Sequence, residues 1–72
     1  MRTPTNYYDK NDELIYSGDA VSGLFTSSWD SEQLIECNFK IVKDYGDWWC
    51  RGIESSEYDD YLYNLHNSVT LV

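Results

Sequence analysis

The residues with the greatest capacity for chemistry are carboxylates, tyrosines and tryptophans in the second half of the chain. An acidic run rich in tyrosine covers residues 54–61, and the adjacent pair Trp48 and Trp49 precedes it. Tryptophan and tyrosine dominate the energetics of protein interfaces, and clustered carboxylates can imitate nucleic-acid phosphates. The composition therefore predicts binding to a protein partner. The candidate contact residues are Asp44, Asp47, Trp49, Glu54, Glu57, Tyr58, Asp59, Asp60 and Tyr61.

A phosphate mimic needs more carboxylates than the run 54–61 supplies, because duplex DNA carries one charge per roughly 1.7 Å of axis. Further acids fall in predicted turns, and alternate turns of a small barrel gather at one end. These acids could therefore form one acidic surface at an end of the barrel. The alternative is that the run 54–61 is only a solvated loop. The additional members would be Asp9, Asp12, Glu13, Asp19, Asp44 and Asp47.

Catalytic and metal-binding chemistry has little support in the sequence. There is no Ser-His-Asp order, no phosphate-binding Gly-rich loop and no Gly-x-Ser-x-Gly motif. His66 is the only imidazole, and Cys37 and Cys50 lack CxxC spacing. A structural zinc site needs about four such ligands. We predict no enzyme activity, no metal and no cofactor.

The charge is strongly negative, with 13 acidic against 5 basic residues and a formal net charge of −8. Such a field repels nucleic acid and anionic membranes and favours encounter with basic surfaces. The alternative is that the charge serves solubility alone. No run approaches the 18 or more apolar residues of a membrane helix, and no signal peptide is visible, so we expect a cytoplasmic protein with reduced cysteines.

The local patterns are mostly those of short strands. Residues 34–42 alternate, with Ile35, Cys37, Phe39 and Ile41 on one face, which predicts a half-buried strand. A hairpin turn at 43–47 and a returning strand at 48–53 follow. If these strands pair around that turn, Cys37 and Cys50 lie at nearly mirrored positions, and we expect two buried thiols. Other predicted strands cover 14–16, 20–25 and 69–72, and Gly23 suggests a bend or bulge.

Two local questions remain open at this level. Trp48 and Trp49 point to opposite faces of their strand, so either both belong to the core or one indole stays exposed as an interface anchor. Residues 56–59 resemble a helix-capping box, and apolar residues follow at helical spacing. The segment 57–65 is therefore either a short helix or a strand.

These elements predict a mainly β fold in a single domain, residues 1–72, with residues 1–6 as a flexible N-terminus. Four to five short strands in a curled sheet or Src-homology-3-like barrel bury the most surface in so short a chain. A thin core with many aromatic residues is also typical of self-association, so a homodimer is a further expectation.

Residues 8–21 resemble the segment "DKNGxxIYxGDxV" of YopX-like small β-barrel proteins of phages and prophages. The usual glycine after Asn11 is Asp12 here, and the matching positions are Asp9, Lys10, Asn11, Ile15, Tyr16, Gly18, Asp19 and Val21. Residues 43–49 are similar to the hairpin and paired tryptophans of Src-homology-3-like barrels, whose first tryptophan lies in a groove for proline-rich peptides. The resemblance implies a barrel and a phage origin, and it implies no particular activity.

Two functional hypotheses follow. The first is a phage-encoded inhibitor in the host cytoplasm that occupies the basic surface of a nucleic-acid-binding protein, such as a CRISPR effector or a restriction nuclease. It would bind neither nucleic acid nor membrane directly. The alternative is a non-enzymatic phage structural or adaptor module that binds a protein or peptide through an aromatic groove.

Overall fold

The computed structural model describes residues 2–27, 29–30 and 32–72, which form seven strands and one short helix. Helix α1 (Leu62–Leu65) and a 3-10 turn at residues 66–68 precede the last strand. The strands are β1 (Pro4–Tyr8), β2 (Leu14–Tyr16), β3 (Ala20–Thr26), β4 (Leu34–Asp44), β5 (Asp47–Gly52), β6 (Asp60–Tyr61) and β7 (Val69–Leu71). The predicted mainly β class, a small curled sheet, is confirmed.

The strands form two antiparallel sheets. One contains β1 and β2, and the other has the order β6-β5-β4-β3-β7. The two faces of β4 separate as its alternation predicts, with Phe39 and Ile41 buried and Glu36 and Lys40 exposed. We call the face with Phe39 and Ile41 the inner face and the opposite one the outer face. The core on the inner face consists of Ile15, Val21, Phe39, Ile41, Cys50, Leu62 and Val69.

The β4–β5 hairpin has a tighter turn than the one predicted at 43–47. Only Tyr45 and Gly46 lie outside the strands, with φ of 50° and 82°. Two successive residues with positive φ characterise the two-residue hairpin turn whose twist matches that of the strands. The strands therefore extend to Asp44 and resume at Asp47, which are directly paired.

The expected irregularity at Gly23 is not present. The pairing of β3 with β4 runs without a shift from Ala20↔Lys40 to Thr26↔Leu34. A Cβ on Gly23 would lie 2.8 Å from the Ser68 carbonyl oxygen and 3.2 Å from Val69 Cγ1. The glycine is thus required by the close approach of the chain that enters β7, and β3 contains no bulge here.

The segment 57–65 contains both of the alternatives left open by the sequence. Asp60 and Tyr61 form β6, and α1 begins at Leu62 with no side-chain capping hydrogen bond. The resemblance to a capping box at residues 56–59 was misleading, because these residues form a turn in which the Asp59 N–H donates to the Ser56 carbonyl at 3.2 Å.

The first strand, β1, was not anticipated because residues 3–6 are polar and lack an alternating pattern. Thr5 is buried, and its hydroxyl donates to the Ile15 carbonyl at 2.8 Å. Asn6 has a φ of 67° within the irregular β1–β2 pairing. Part of the segment predicted as a flexible N-terminus is therefore paired in a sheet. In the turn that follows, Asp12 has a φ of 62° at the position where the resembled segment has glycine.

The two cysteines are not mirrored across the hairpin. Cys50 is opposite Ile41, whereas Cys37 lies four positions before Ile41 and is opposite Gly23 on β3. At roughly 3.3 Å per residue, four positions separate them by about 13 Å along the sheet. Both thiols are free, and only Cys50 is fully buried, since Cys37 is half-buried. The expectation of two buried thiols therefore holds for Cys50 alone.

Candidate functional site

The predicted contact residues divide among three neighbouring parts of the structure. Asp44 and Asp47 flank the hairpin turn, and Trp49 and Tyr61 lie opposite each other on β5 and β6. The remaining residues belong to the connection between β5 and β6 or to its end, and they are Glu54, Glu57, Tyr58, Asp59 and Asp60.

An array of aromatic rings in mutual contact lies on the outer face near β6. The ring centroids of Trp49 and Tyr61 are 4.0 Å apart, and those of Tyr61 and Tyr63 are 4.9 Å apart. The Arg51 guanidinium lies over the Trp49 ring with its Cζ 4.7 Å from the centroid, within the range of a cation–π interaction. Tyr63 is 49% exposed. The array forms because Trp49 and Tyr61 are register partners.

The two tryptophans occupy opposite faces, as the alternation predicts, and both are half-buried. Trp48 packs against the core from the inner face, and Lys43 Nζ lies 5.5 Å from its ring centroid. Trp49 belongs to the outer array. Its Nε1 is buried without a hydrogen-bond partner among the described residues. The apolar surface of Trp49, rather than its N–H, is therefore the part available for contact.

The predicted acidic contacts Asp44, Asp59 and Asp60 have internal hydrogen-bond or ion-pair partners. Asp44 forms an ion pair with Arg51 at 2.7 Å, and Asp59 lies 3.8 Å from the same guanidinium. Asp59 also accepts a hydrogen bond from the Gly52 N–H at 2.5 Å. Asp60 accepts from the Tyr61 N–H at 2.7 Å and from Asn64 Nδ2 at 3.1 Å. Asp59 holds the β5–β6 connection against β5, Asp44 is paired within the hairpin, and Asp60 is bonded to α1, so all three are less suited to a partner than exposed acids.

The acidic residues in the predicted turns also fall into two groups, those with internal partners and those that are exposed. Asp9 is 2% exposed and accepts three backbone hydrogen bonds. Asp19 is half-buried, forms an ion pair with Arg2 and accepts from the Tyr16 N–H at 2.8 Å. Both therefore stabilise the fold and would not belong to an acidic binding surface. The exposed acids are Asp12, Glu13, Asp30, Glu32, Glu36, Asp47, Glu54 and Glu57.

Three of these exposed acids line one cleft of about 150 Å³ between β4 and the β5–β6 connection. We call it the β4 cleft, and its lining residues are Ile35, Glu36, Cys37, Asn38, Glu54, Ser55, Glu57 and Tyr58. Tyr58 closes one side, because its ring stacks on Phe25 at 5.8 Å and its hydroxyl donates to the Thr26 carbonyl at 3.2 Å. Burial and the Glu57 charge raise the pKa of the Cys37 thiol.

The β4 cleft contains Glu54, Glu57 and Tyr58 from the predicted contacts, and it adds residues of β4 that were not among them. Glu36 was placed on the outward face of its strand by the alternation. Its proximity to residues 54–58 depends on the chain reversal after Gly52. A Cβ on Gly52 would overlap the Ser55 carbonyl oxygen. That close return brings the connection back beside β4, and no spacing pattern in the sequence predicts it.

Comparisons with known proteins found no matching family model, no matching curated protein and no matching solved structure. The described residues contain no group of three or more His, Cys, Asp or Glu side chains placed to hold a metal ion. Within the same residues, no helix is long and apolar enough to cross a membrane. The resemblances to YopX-like and Src-homology-3-like proteins therefore stay predictions.

Proposed function

We propose that this chain is a non-enzymatic binding protein that occupies a basic surface of a nucleic-acid-binding protein with its exposed carboxylates. The observation that carries the proposal is the excess of exposed acidic residues over exposed basic ones, which are Arg2, Lys10, Lys40 and Lys43. Both arginines are held by internal acids, Arg2 by Asp19 and Arg51 by Asp44 and Asp59. Eight acidic residues remain exposed, as named above, in a chain of net charge −8.

The distribution of these charges favours a protein partner over a small ligand. Glu36, Glu54 and Glu57 line the β4 cleft, while Asp47 and Glu13 lie at separate turns. Exposed carboxylates on several elements suit an extended basic surface, where complementary potentials speed encounter and reject wrong partners. The phage origin, and with it the inhibition of a host CRISPR effector or restriction nuclease, rests on the resemblance of residues 8–21.

The alternative, an adaptor module that binds through aromatic residues, is favoured by a different observation. Trp49, Tyr61 and Tyr63 form an array of contacting rings on the outer face, and such residues are typical interface anchors. Binding through this array would depend little on salt. Binding through carboxylates would weaken as salt is added, because exposed charges are screened over about 8 Å at physiological ionic strength.

The test is affinity capture from a bacterial lysate at low salt, followed by elution with a salt gradient and mass spectrometry. We expect a nucleic-acid-binding protein that elutes at moderate salt and whose DNA or RNA binding is competed by the chain. The aromatic alternative would instead be established by a captured protein that stays bound to the native chain at high salt. The Trp49→Ala variant should then fail to capture that protein.

Charge variants make the capture experiment specific. The double variant Glu36→Lys/Glu54→Lys should lose the captured protein, because it reverses two carboxylates of the β4 cleft. The matched control Glu13→Lys/Glu32→Lys makes the same change in net charge at exposed acids outside the cleft. This control should retain more of the captured protein than the cleft variant does. Equal loss in both would mean that total charge alone governs binding. Asp59 and Asp60 are avoided because their carboxylates have structural partners.

A further inference from the structure

Within residues 2–27, 29–30 and 32–72, the N-terminal half of β4 has one edge without a strand partner. β4 covers Leu34–Asp44, and β5 pairs only with Phe39–Asp44. On its other edge, β4 pairs with β3 along Leu34–Lys40. Among the described residues, the edge of residues 34–37 beyond the end of β5 has no strand beside it. Unpaired N–H and C=O groups on such an edge are a template for another strand.

The backbone groups on this edge can be assigned from one hydrogen bond. The Ile53 N–H donates to the Asn38 carbonyl at 3.0 Å, so Asn38 directs its backbone groups toward the β5 side. Backbone direction alternates along an antiparallel strand. Glu36 therefore presents its N–H and C=O to the same side, where the strand beside it has already ended.

The β4 cleft lies against this edge rather than over one face of the strand. Its lining includes Ile35 and Cys37 from the inner face and Glu36 and Asn38 from the outer face. The rest of the lining comes from the connection that follows β5, which places the cavity on the β5 side of β4. The backbone of Glu36, which has no strand partner within the described part of the chain, and the acidic lining thus lie side by side.

Charge decides what kind of segment fits there. Glu36, Glu54 and Glu57 line the cleft, so a second copy of this chain, with a net charge of −8, would bring acid against acid. A basic segment would be attracted instead. In an antiparallel sheet, the residue paired with Glu36 would carry its side chain on the same face as Glu36. Its neighbours would point to the face of Ile35 and Cys37.

We infer that the β4 cleft binds an extended segment of the partner by strand addition to β4 after β5 ends. A basic residue lies opposite Glu36, and apolar residues on either side of it pack toward Ile35 and Cys37. This inference rests on the proposed function and names the mode by which the basic partner is recognised. Backbone hydrogen bonds supply affinity and the alternate side chains supply specificity, as in other cases of strand addition.

The probe is a short fluorescein-labelled peptide of alternating lysine and valine, with binding measured by fluorescence anisotropy at low salt. Two N-methylated versions keep the same charge. Methylation of the lysine amides removes the N–H groups that would donate to β4, whereas methylation of the valine amides removes those that point away. We expect the lysine-methylated peptide to bind roughly tenfold more weakly, and the valine-methylated peptide to bind like the parent.

The Glu36 amide provides a second readout that affinity alone does not give. Its hydrogen exchange, followed by NMR, should be fast in the free chain and at least about tenfold slower with the parent peptide bound. Glu36→Lys should weaken the parent peptide, with Glu13→Lys as the charge-matched control. Circular dichroism establishes that both variants are folded.

The outcomes separate the two proposals. If all three peptides bind equally and Glu36→Lys weakens them, strand addition is wrong while carboxylate recognition stands. If none binds, or if Glu36→Lys and Glu13→Lys weaken the parent peptide equally, the β4 cleft is not the site and the inference fails. The capture experiment then decides separately whether a basic partner is bound elsewhere.

Discussion

The Asp9 carboxylate accepts a hydrogen bond from the Leu71 N–H at 2.9 Å, which joins the first turn of the chain to its last strand. The same carboxylate accepts from the N–H groups of Asn11 at 2.8 Å and Glu13 at 2.9 Å. Burial raises the pKa of Asp9, and these backbone hydrogen bonds together with the Lys10 charge lower it by more. The pKa therefore lies below its ordinary value of 3.8.

Asp9→Asn should destabilise the fold by about 1–3 kcal/mol, because one of the buried N–H groups would then face the amide N–H₂ instead of an acceptor oxygen. Urea unfolding at neutral pH measures the loss. The control is Asp12→Asn, which removes an exposed carboxylate in the same turn and retains a residue suited to positive φ. Equal stabilities of the two variants would contradict the role assigned to Asp9.

The contribution of Asp9 should also depend on pH. Because the pKa is lowered in the folded state, its stabilisation is complete above the unfolded pKa, about 3.9, and is lost as pH falls through the folded value. The difference in unfolding free energy between the native chain and Asp9→Asn should therefore be constant at neutral pH and decrease below about pH 4. If the difference in unfolding free energy instead grew on acidification, the lowered pKa of Asp9 would be contradicted.

Gly52→Ala should be the most damaging of the glycine substitutions. A Cβ there would overlap the Ser55 carbonyl oxygen, so the backbone of the β5–β6 connection would have to move. We expect a loss of at least ~3 kcal/mol or failure to fold. Gly18→Ala is the comparison, because its Cβ meets open space and only the positive φ is penalised, by about 1–2 kcal/mol. Thermal unfolding ranks the two variants.

Tyr45→Asn should stabilise the β4–β5 hairpin. Tyr45 is 91% exposed and has a φ of 50°, a conformation that asparagine tolerates better than an aromatic residue. With Gly46 it would create an Asn-Gly turn, and we expect a gain of about 0.5–1 kcal/mol in urea unfolding. Tyr45→Ala, which also disfavours positive φ, should show no such gain. A gain of the same size in both would indicate that the tyrosine side chain itself is unfavourable.

The two cysteines should differ in reactivity. Cys50 is fully buried, and burial together with the charges of Asp60 and Asp59 raises its pKa to about 12. Cys37 is half-buried and lines the β4 cleft. Since the thiolate is the reactive form, iodoacetamide should modify Cys37 slowly and leave Cys50 unmodified in the folded chain. Mass spectrometry with and without denaturant checks this, and a Cys37–Cys50 disulfide under native conditions would contradict the register.

The lysine–valine peptide connects this reactivity to the cleft. If strand addition places apolar side chains beside Ile35 and Cys37, the bound peptide should slow alkylation of Cys37. The lysine-methylated peptide should protect less at the same concentration. Unchanged alkylation at saturating parent peptide would show that the peptide binds elsewhere.

The sequence by itself determined the features that depend on local patterns. The alternation of residues 34–42 determined which side chains of β4 form the core, and the same period of two placed Trp48 and Trp49 on opposite faces. Gly46 indicated the hairpin, and composition determined the charge. These follow from residue spacing and backbone preferences, which act over a few positions.

The tertiary structure decided which distant residues meet and which acids are available. Asp9 became buried because Leu71 supplies a partner 62 positions away, whereas the similar carboxylate of Asp12 stayed exposed. β4 continues past the end of β5, so the edge at Glu36 has no strand beside it among the described residues. The chain reversal at Gly52 places residues 54–58 beside that edge. Register and chain reversal depend on packing between elements far apart in sequence, so no local pattern could predict the β4 cleft.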